Sequence, residues 1–174
     1  GNYNVLFGEN AGTAITTGDN NTILGYNAGD AIATTSDNTL IGYLAGSAIS
    51  HSDNTVIGAS AAINMTGTDA IRNVIIGKEA LLDNTGGAKE NIIIGYKAME
   101  NCTSATNDKN VVIGVNALDT AGVDTTGSVC IGFHALGAGA MTANYVTAIG
   151  HYAGNALTDG DYNTFIGNYA GAAM

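Results

Sequence analysis

Three histidines, two cysteines and fifteen carboxylates are the groups in this chain with the widest chemical reach. Histidine is the usual general base and metal ligand. His134 and His151 are the histidines nearest in phase. They stand one place apart relative to a recurring glycine, which is expected to turn them to opposite faces of an extended segment. Together with His51 they read as surface decoration. Acids recur at Asp19, Asp37, Asp53, Glu90, Asp108 and Asp161, so stacking would bring like charges together. Calcium would relieve that repulsion, but the glycine-aspartate nonapeptide of calcium-binding β-rolls is absent, which favours plain solvated loops and no metal. Cys102 and Cys130 fall at different places of the repeat, so a disulfide framework is not expected. The sequence carries no nucleophile elbow, phosphate loop or paired metal-ligand clusters, so no cofactor and no enzymatic activity are expected.

The aromatic residues are more regular. Tyr26, Tyr43, Tyr96, Phe133, Tyr152 and Tyr169 gather just after the glycine and predict a discontinuous column on one side of the molecule. Stacking against sugar rings would make them a receptor contact; packing between coils or chains is the plainer use.

What positions these groups is a repeat. The same glycine stands at Gly8, Gly25, Gly42, Gly58, Gly77, Gly95, Gly114, Gly132, Gly150 and Gly167, at spacings of 16 to 19 residues. Three residues after each comes an alanine, from Ala11 and Ala28 to Ala153 and Ala170, small enough for a tight inner wall. Immediately before each comes Phe7, Leu24 or, in the other eight coils, isoleucine. This proximal column is expected to be the core. The middle column, one place earlier, is apolar throughout. The distal column, one earlier still, is all Val, Thr or Ile. Four residues before the glycine stand Asn4, Asn21, Asn38, Asn54, Asn73, Asn91, Asn110 and Asn163, with Ser128 and Val146 as exceptions, which predicts an amide ladder with a structural role. The glycine itself predicts a corner of positive φ or close backbone approach.

A β-branched triplet closed by glycine and followed by turn residues reads as one short strand per coil. Stacked coils pair in parallel at about 4.8 Å per rung, giving a rod about 45 Å long. The fold class is therefore all-β, a parallel β-solenoid of about ten coils across residues 1–174. Proximal and distal side chains share one face and the middle ones point the other way, so both faces are apolar. A strand apolar on both faces needs a partner beyond its own coil. That predicts a homo-oligomer, a trimer about the fibre axis, with the middle column as its interface.

Composition narrows the partners. A net charge of −10 argues against nucleic acid and against an anionic membrane surface. No apolar run is long enough to span a bilayer, and no signal peptide is apparent. The chain begins and ends inside repeats, which reads as a segment of something longer.

The run Asn38-Thr39-Leu40-Ile41-Gly42-Tyr43-Leu44-Ala45-Gly46 and its variant Ser128-Val129-Cys130-Ile131-Gly132-Phe133-His134-Ala135 resemble the YadA-like head repeats of trimeric autotransporter adhesins, and similar repeats of bacteriophage tail fibres. The resemblance covers all ten coils. It implies a left-handed parallel β-roll, three chains around one axis, and an extracellular place on a virion tail fibre or bacterial surface. The chain departs from the pattern in its varying coil lengths and longer loops, and it has no heptad stalk, membrane anchor or chaperone domain, which sets phage fibre slightly ahead of adhesin. The expected function is a structural or adhesive fibre segment contacting a cell-surface glycan or protein through variable loops such as 62–72 and 135–145. An ice-binding solenoid would need an unbroken threonine face, whereas the column Thr22, Thr39, Thr55, Thr147, Thr164 is interrupted by Val and Ile in a way that suits a buried wall. A left-handed β-helix acyltransferase would need three matching hexapeptides per coil, and only one is present.

Overall fold

The computed structural model describes residues 1–67, 69–104, 106–119, 124–137 and 142–172. Each triplet ahead of the glycine forms a three-residue strand: Val5–Phe7, Thr22–Leu24, Thr39–Ile41, Thr55–Ile57, Val74–Ile76, Ile92–Ile94, Val111–Ile113, Val129–Ile131, Thr147–Ile149 and Thr164–Ile166. These ten rungs make one parallel sheet in sequence order, in unbroken register although coil length varies. The repeated β-branched side chains favour this pleated conformation, and stacking satisfies the backbone. The Val5 amide donates to the Asn21 carbonyl at 2.8 Å and the Gly25 amide to the Phe7 carbonyl at 2.9 Å, a pattern that recurs along the ladder. The described residues contain no helix, and the chain is a β-solenoid.

The faces of the strand are the reverse of the sequence expectation. The middle column is the core: Ile23, Leu40, Val56, Ile75, Ile93, Val112, Cys130 and Ala148 are fully buried. The proximal isoleucines and the distal Val, Thr and Ile residues point outward and are half-buried or exposed, as at Leu24 and Ile92. The threonine column is thus an outer wall, not a buried one. Inside, the middle column meets the alanines, of which Ala28 to Ala153 are fully buried, and an opposite wall that includes Ile32, Ile49, Met65 and Cys102. Residues four after the glycine complete the packing by size. Gly12 and Gly29 lie against Leu6, Ile23 and Leu40, while the buried Leu118 and Leu136 fill the coils whose middle residues are Val112 and Cys130.

The corner is set by the glycine. Gly95 has φ 144°, and a Cβ there would overlap the Gly114 carbonyl oxygen of the next coil. The asparagine column forms a buried amide ladder. The backbone amide and Nδ2 of Asn21 donate to Asn4 Oδ1 at 2.9 and 3.0 Å, and the same Nδ2 donates to the Thr35 carbonyl at 2.9 Å. At Ser128 the work divides. Its Oγ accepts from the Val146 amide at 3.0 Å, while the Thr125 hydroxyl donates to the Ala143 carbonyl at 2.8 Å. Val146 offers no acceptor, and the Asn163 side chain turns to the Gly160 carbonyl of its own coil instead.

Longer coils add two-residue pairs, Asn64–Met65 with Asp83–Asn84 and Ala88–Lys89 with Asn107–Asp108. The expected contact loop 62–72 contains the first of these, with residue 68 outside the described residues. In the loop 135–145, residues 138–141 lie outside them. Cys102 and Cys130 are buried free thiols whose burial pushes their pKa up, to about 12 for Cys130.

Candidate functional site

Two surfaces stand out, and the larger is the outward sheet face. It consists of the proximal and distal columns of all ten rungs and carries no charged residue at any of these positions. Phe7 and Ile166 are 71% and 67% exposed, and the intervening isoleucines are half-buried by their neighbours along the ladder. A regular uncharged strip of this kind, whose polar side-chain groups are the hydroxyls of Thr22, Thr39, Thr55, Thr147 and Thr164, offers no acid or base; what it can do is pack.

The second surface is a set of ring ladders. The aromatic residues near the glycine form two adjacent columns rather than one: Tyr26, Tyr43, Tyr96 and Phe133 follow it directly, whereas Tyr152 and Tyr169 come one place later. Tyr26 stacks on Tyr43 with centroids 5.6 Å apart, and Tyr96 lies 5.8 Å from both the Lys78 and Lys97 ammonium groups. In the last three coils the columns merge. Phe133 stacks on His151 at 5.2 Å and meets His134 edge-on at 4.5 Å; His134 stacks on Tyr152 at 5.1 Å, and Tyr152 on Tyr169 at 5.2 Å.

His134 and His151 therefore belong to one cluster, against the expectation that they face apart. That expectation assumed extended backbone, but His134 and Tyr152 have φ of 50° and 54°, so the chain turns after the glycine and alternation fails. The imidazoles are nonetheless held by amides, His134 Nε2 by Asn116 Nδ2 and His151 Nδ1 by Asn168 Oδ1, each at 3.1 Å. Among the described residues no carboxylate hydrogen-bonds to either ring in the manner that orients a catalytic base. Rings stacked along the rod spend their faces on one another and present edges and tyrosine hydroxyls outward, which suits hydrogen bonding to a ligand better than stacking against it.

A further ladder, Tyr145 on Tyr162 at 5.1 Å, was not foreseen from the sequence. Its signal was present: both tyrosines stand five residues before the glycine, where Tyr3, Asn20 and Asp37 also take positive φ.

The acids divide between two neighbouring places of the repeat and act locally. Asp37 Oδ1 accepts from Asn20 Nδ2 at 3.1 Å, Asp108 Oδ1 from the Lys89 amide at 3.1 Å and Asp161 Oδ1 from the Asn144 amide at 2.7 Å. Among the described residues no group of three or more His, Cys, Asp or Glu could hold a metal. All five bases lie between residues 72 and 109, and four of them bind acids of the same chain: Arg72–Glu90 at 3.0 Å, Lys97–Glu100 at 2.8 Å, Lys78–Glu79 at 3.2 Å and Lys89–Asp108 at 3.5 Å. The hydrogen bond from Lys78 holds the Glu79 carboxyl below its ordinary range, and that to Glu100 raises Lys97. Asp119 is pushed upward, chiefly by partial burial and then by the Glu100 carboxylate. No helix among the described residues is long and apolar enough to cross a membrane. No family model, curated protein or solved structure matches the chain.

Proposed function

We propose that this chain is a segment of a homotrimeric extracellular fibre, of the kind found in phage tails and bacterial surface appendages, which projects from its parent particle and presents a receptor-contacting surface. The observation that carries the reading is the outward face: an uncharged, nearly invariant isoleucine column in register along the ladder. A solenoid that ended its interactions at its own wall would gain by placing polar side chains there. A second and third copy of the same strip cover it without needing complementary charges. The resemblance to YadA-like head repeats supports the same arrangement, with the correction that the proximal and distal columns, not the middle one, join the chains.

The mechanism is mechanical and multivalent. Three parallel copies repeat each loop and ring ladder three times, so weak contacts to a cell-surface glycan or protein add through avidity, worth about 10²- to 10⁴-fold where geometry allows. The Phe133–Tyr169 cluster and the loops beside it are the contact surface, ahead of Tyr26, Tyr43 and Tyr96.

Binding to cells tests the reading. Fluorescently labelled chain is offered to a panel of bacteria and to their isolated surface polysaccharides, beside an Ile94→Asp variant unable to cluster. Saturable retention that falls at least about tenfold in the variant is expected. Equal retention of the clustered and single chain contradicts a multivalent fibre.

A further inference from the structure

Resting on the reading that the outward face joins copies of the chain, we infer that the copies are held together at the waist of the rod, rungs five to eight, while both acidic ends remain solvated. Two independent patterns overlap there, both holding at rungs five and six. The first is in the distal column. At rungs five to eight it reads Val74, Ile92, Val111 and Val129, four aliphatic residues in succession; at rungs two to four and nine to ten it is threonine. Thr22, Thr39, Thr55, Thr147 and Thr164 make no hydrogen bond through Oγ1 to any described residue, so their hydroxyls depend on water. Covering them with a neighbour's isoleucine strips that water without replacement, whereas Val and Ile lose nothing on being covered.

The second pattern is charge. Residues 1–71 contain six acids and no base, and residues 110–174 contain four acids and no base. Residues 72–109 contain five of each, and their ion pairs close within the chain. Copies related by a three-fold axis run parallel, so each acidic end meets its own like charge, at distances a screening length of about 10 Å at 0.1 M salt only partly covers. The neutralised waist meets its copies without that cost. Apolar contact and electrostatics therefore favour the same rungs at five and six, and apolar contact alone extends the waist to rungs seven and eight.

The strip is also narrow. Three strand residues span about 10 Å and ten rungs about 45 Å, so each copy offers roughly 450 Å² in projection, below the roughly 800 Å² per partner of an ordinary stable interface. Association of this chain is accordingly concentration-dependent, and it tightens as salt screens the acidic ends.

Sedimentation equilibrium over about 1–500 µM, at about 20 and 500 mM salt, separates the possibilities. The variants are Val111→Asp at the waist and Thr22→Asp and Thr164→Asp at the ends, all on outward positions; Val111→Thr serves as a milder waist change if the aspartate fails to fold. We expect Val111→Asp to raise the concentration of half-association at least about 100-fold, Val111→Thr about tenfold, and the end variants less than about threefold. The wild type should associate more tightly at the higher salt. Equal effects at waist and ends, or association weakened by salt, overturn the waist while leaving self-association standing. A wild-type chain that is monomeric throughout overturns the self-association on which it rests.

Discussion

Asparagine 54 is the most informative single position in the amide ladder. It is 1% exposed; its backbone amide donates to Asn38 Oδ1 of the preceding rung at 3.0 Å, and its side chain serves the following coil. Its Oδ1 accepts from the backbone amide and the Nδ2 of Asn73, each at 3.0 Å, and its own Nδ2 donates to the Ala70 carbonyl at 2.9 Å. Substitution Asn54→Ala leaves two buried backbone groups without these partners, the Asn73 amide and the Ala70 carbonyl. The Asn73 side chain keeps its bond to Ala88 at 2.7 Å. At about 1–3 kcal/mol for each orphaned group, the expected loss is about 2–6 kcal/mol, a large fraction of a domain's total of about 5–15. Asn54→Ser restores an acceptor of the kind Ser128 provides and should recover about half the loss. Combining it with His51→Thr copies the division of labour seen between Ser128 and Thr125 and should recover more. Urea denaturation at fixed protein concentration measures each difference. A loss below about 1 kcal/mol for Asn54→Ala, or no difference between alanine and serine, would refute the role given to the ladder.

Four further substitutions probe the wall, the corner and a partly buried charge. Ile93→Ala, in the fully buried middle column, should cost about 2–5 kcal/mol in urea denaturation, whereas its outward neighbour Ile94→Ala should cost under about 1 kcal/mol in the dissociated chain and chiefly weaken association; the opposite order would restore the original assignment of faces. Gly95→Ala should abolish cooperative unfolding or lower the midpoint sharply, because φ 144° is strained for alanine and its Cβ has no room beneath the Gly114 carbonyl. Because the folded-state pKa of Asp119 is raised, stability falls as pH rises from its ordinary carboxylate range through the shifted value. Asp119→Asn keeps an acceptor for Asn101 Nδ2 and should raise the melting temperature by about 1–3 °C at neutral pH, with the gain vanishing below about pH 4.

The repeat made the architecture legible because a β-branched triplet ended by glycine at near-constant spacing has few ways to bury itself other than by stacking. Alternation showed that proximal and distal residues share a face, but not which face is inside, since both are apolar. A partial signal was volumetric. Leu118 and Leu136 are large where Val112 and Cys130 are small, and Gly12 and Gly29 make room beside Leu6, Ile23 and Leu40. Leu81 in the coil of Ile75, Met99 in that of Ile93 and Gly154 in that of Ala148 do not compensate, so size alone left the choice of face open. The ring ladders were half legible for a different reason. Tyr26 and Tyr43 share a phase and stack, but Tyr152 is shifted by one place, and its alliance with His134 and Phe133 depends on the turn at φ 54°. No apolar periodicity marks such a turn. Tyr145 and Tyr162 lie ahead of the strand, in a column that from Asn20 to Lys109 is charged or polar and shares its aromatic character only with Tyr3.

The proposed fibre requires copies of the chain to meet through the outward isoleucine face, and the solution mass tests that directly. Light scattering coupled to size exclusion, run at rising concentration, should show the mass climbing from 17.5 kDa toward a plateau three times that value. A mass of 17.5 kDa at every concentration would contradict it and leave a single-chain solenoid.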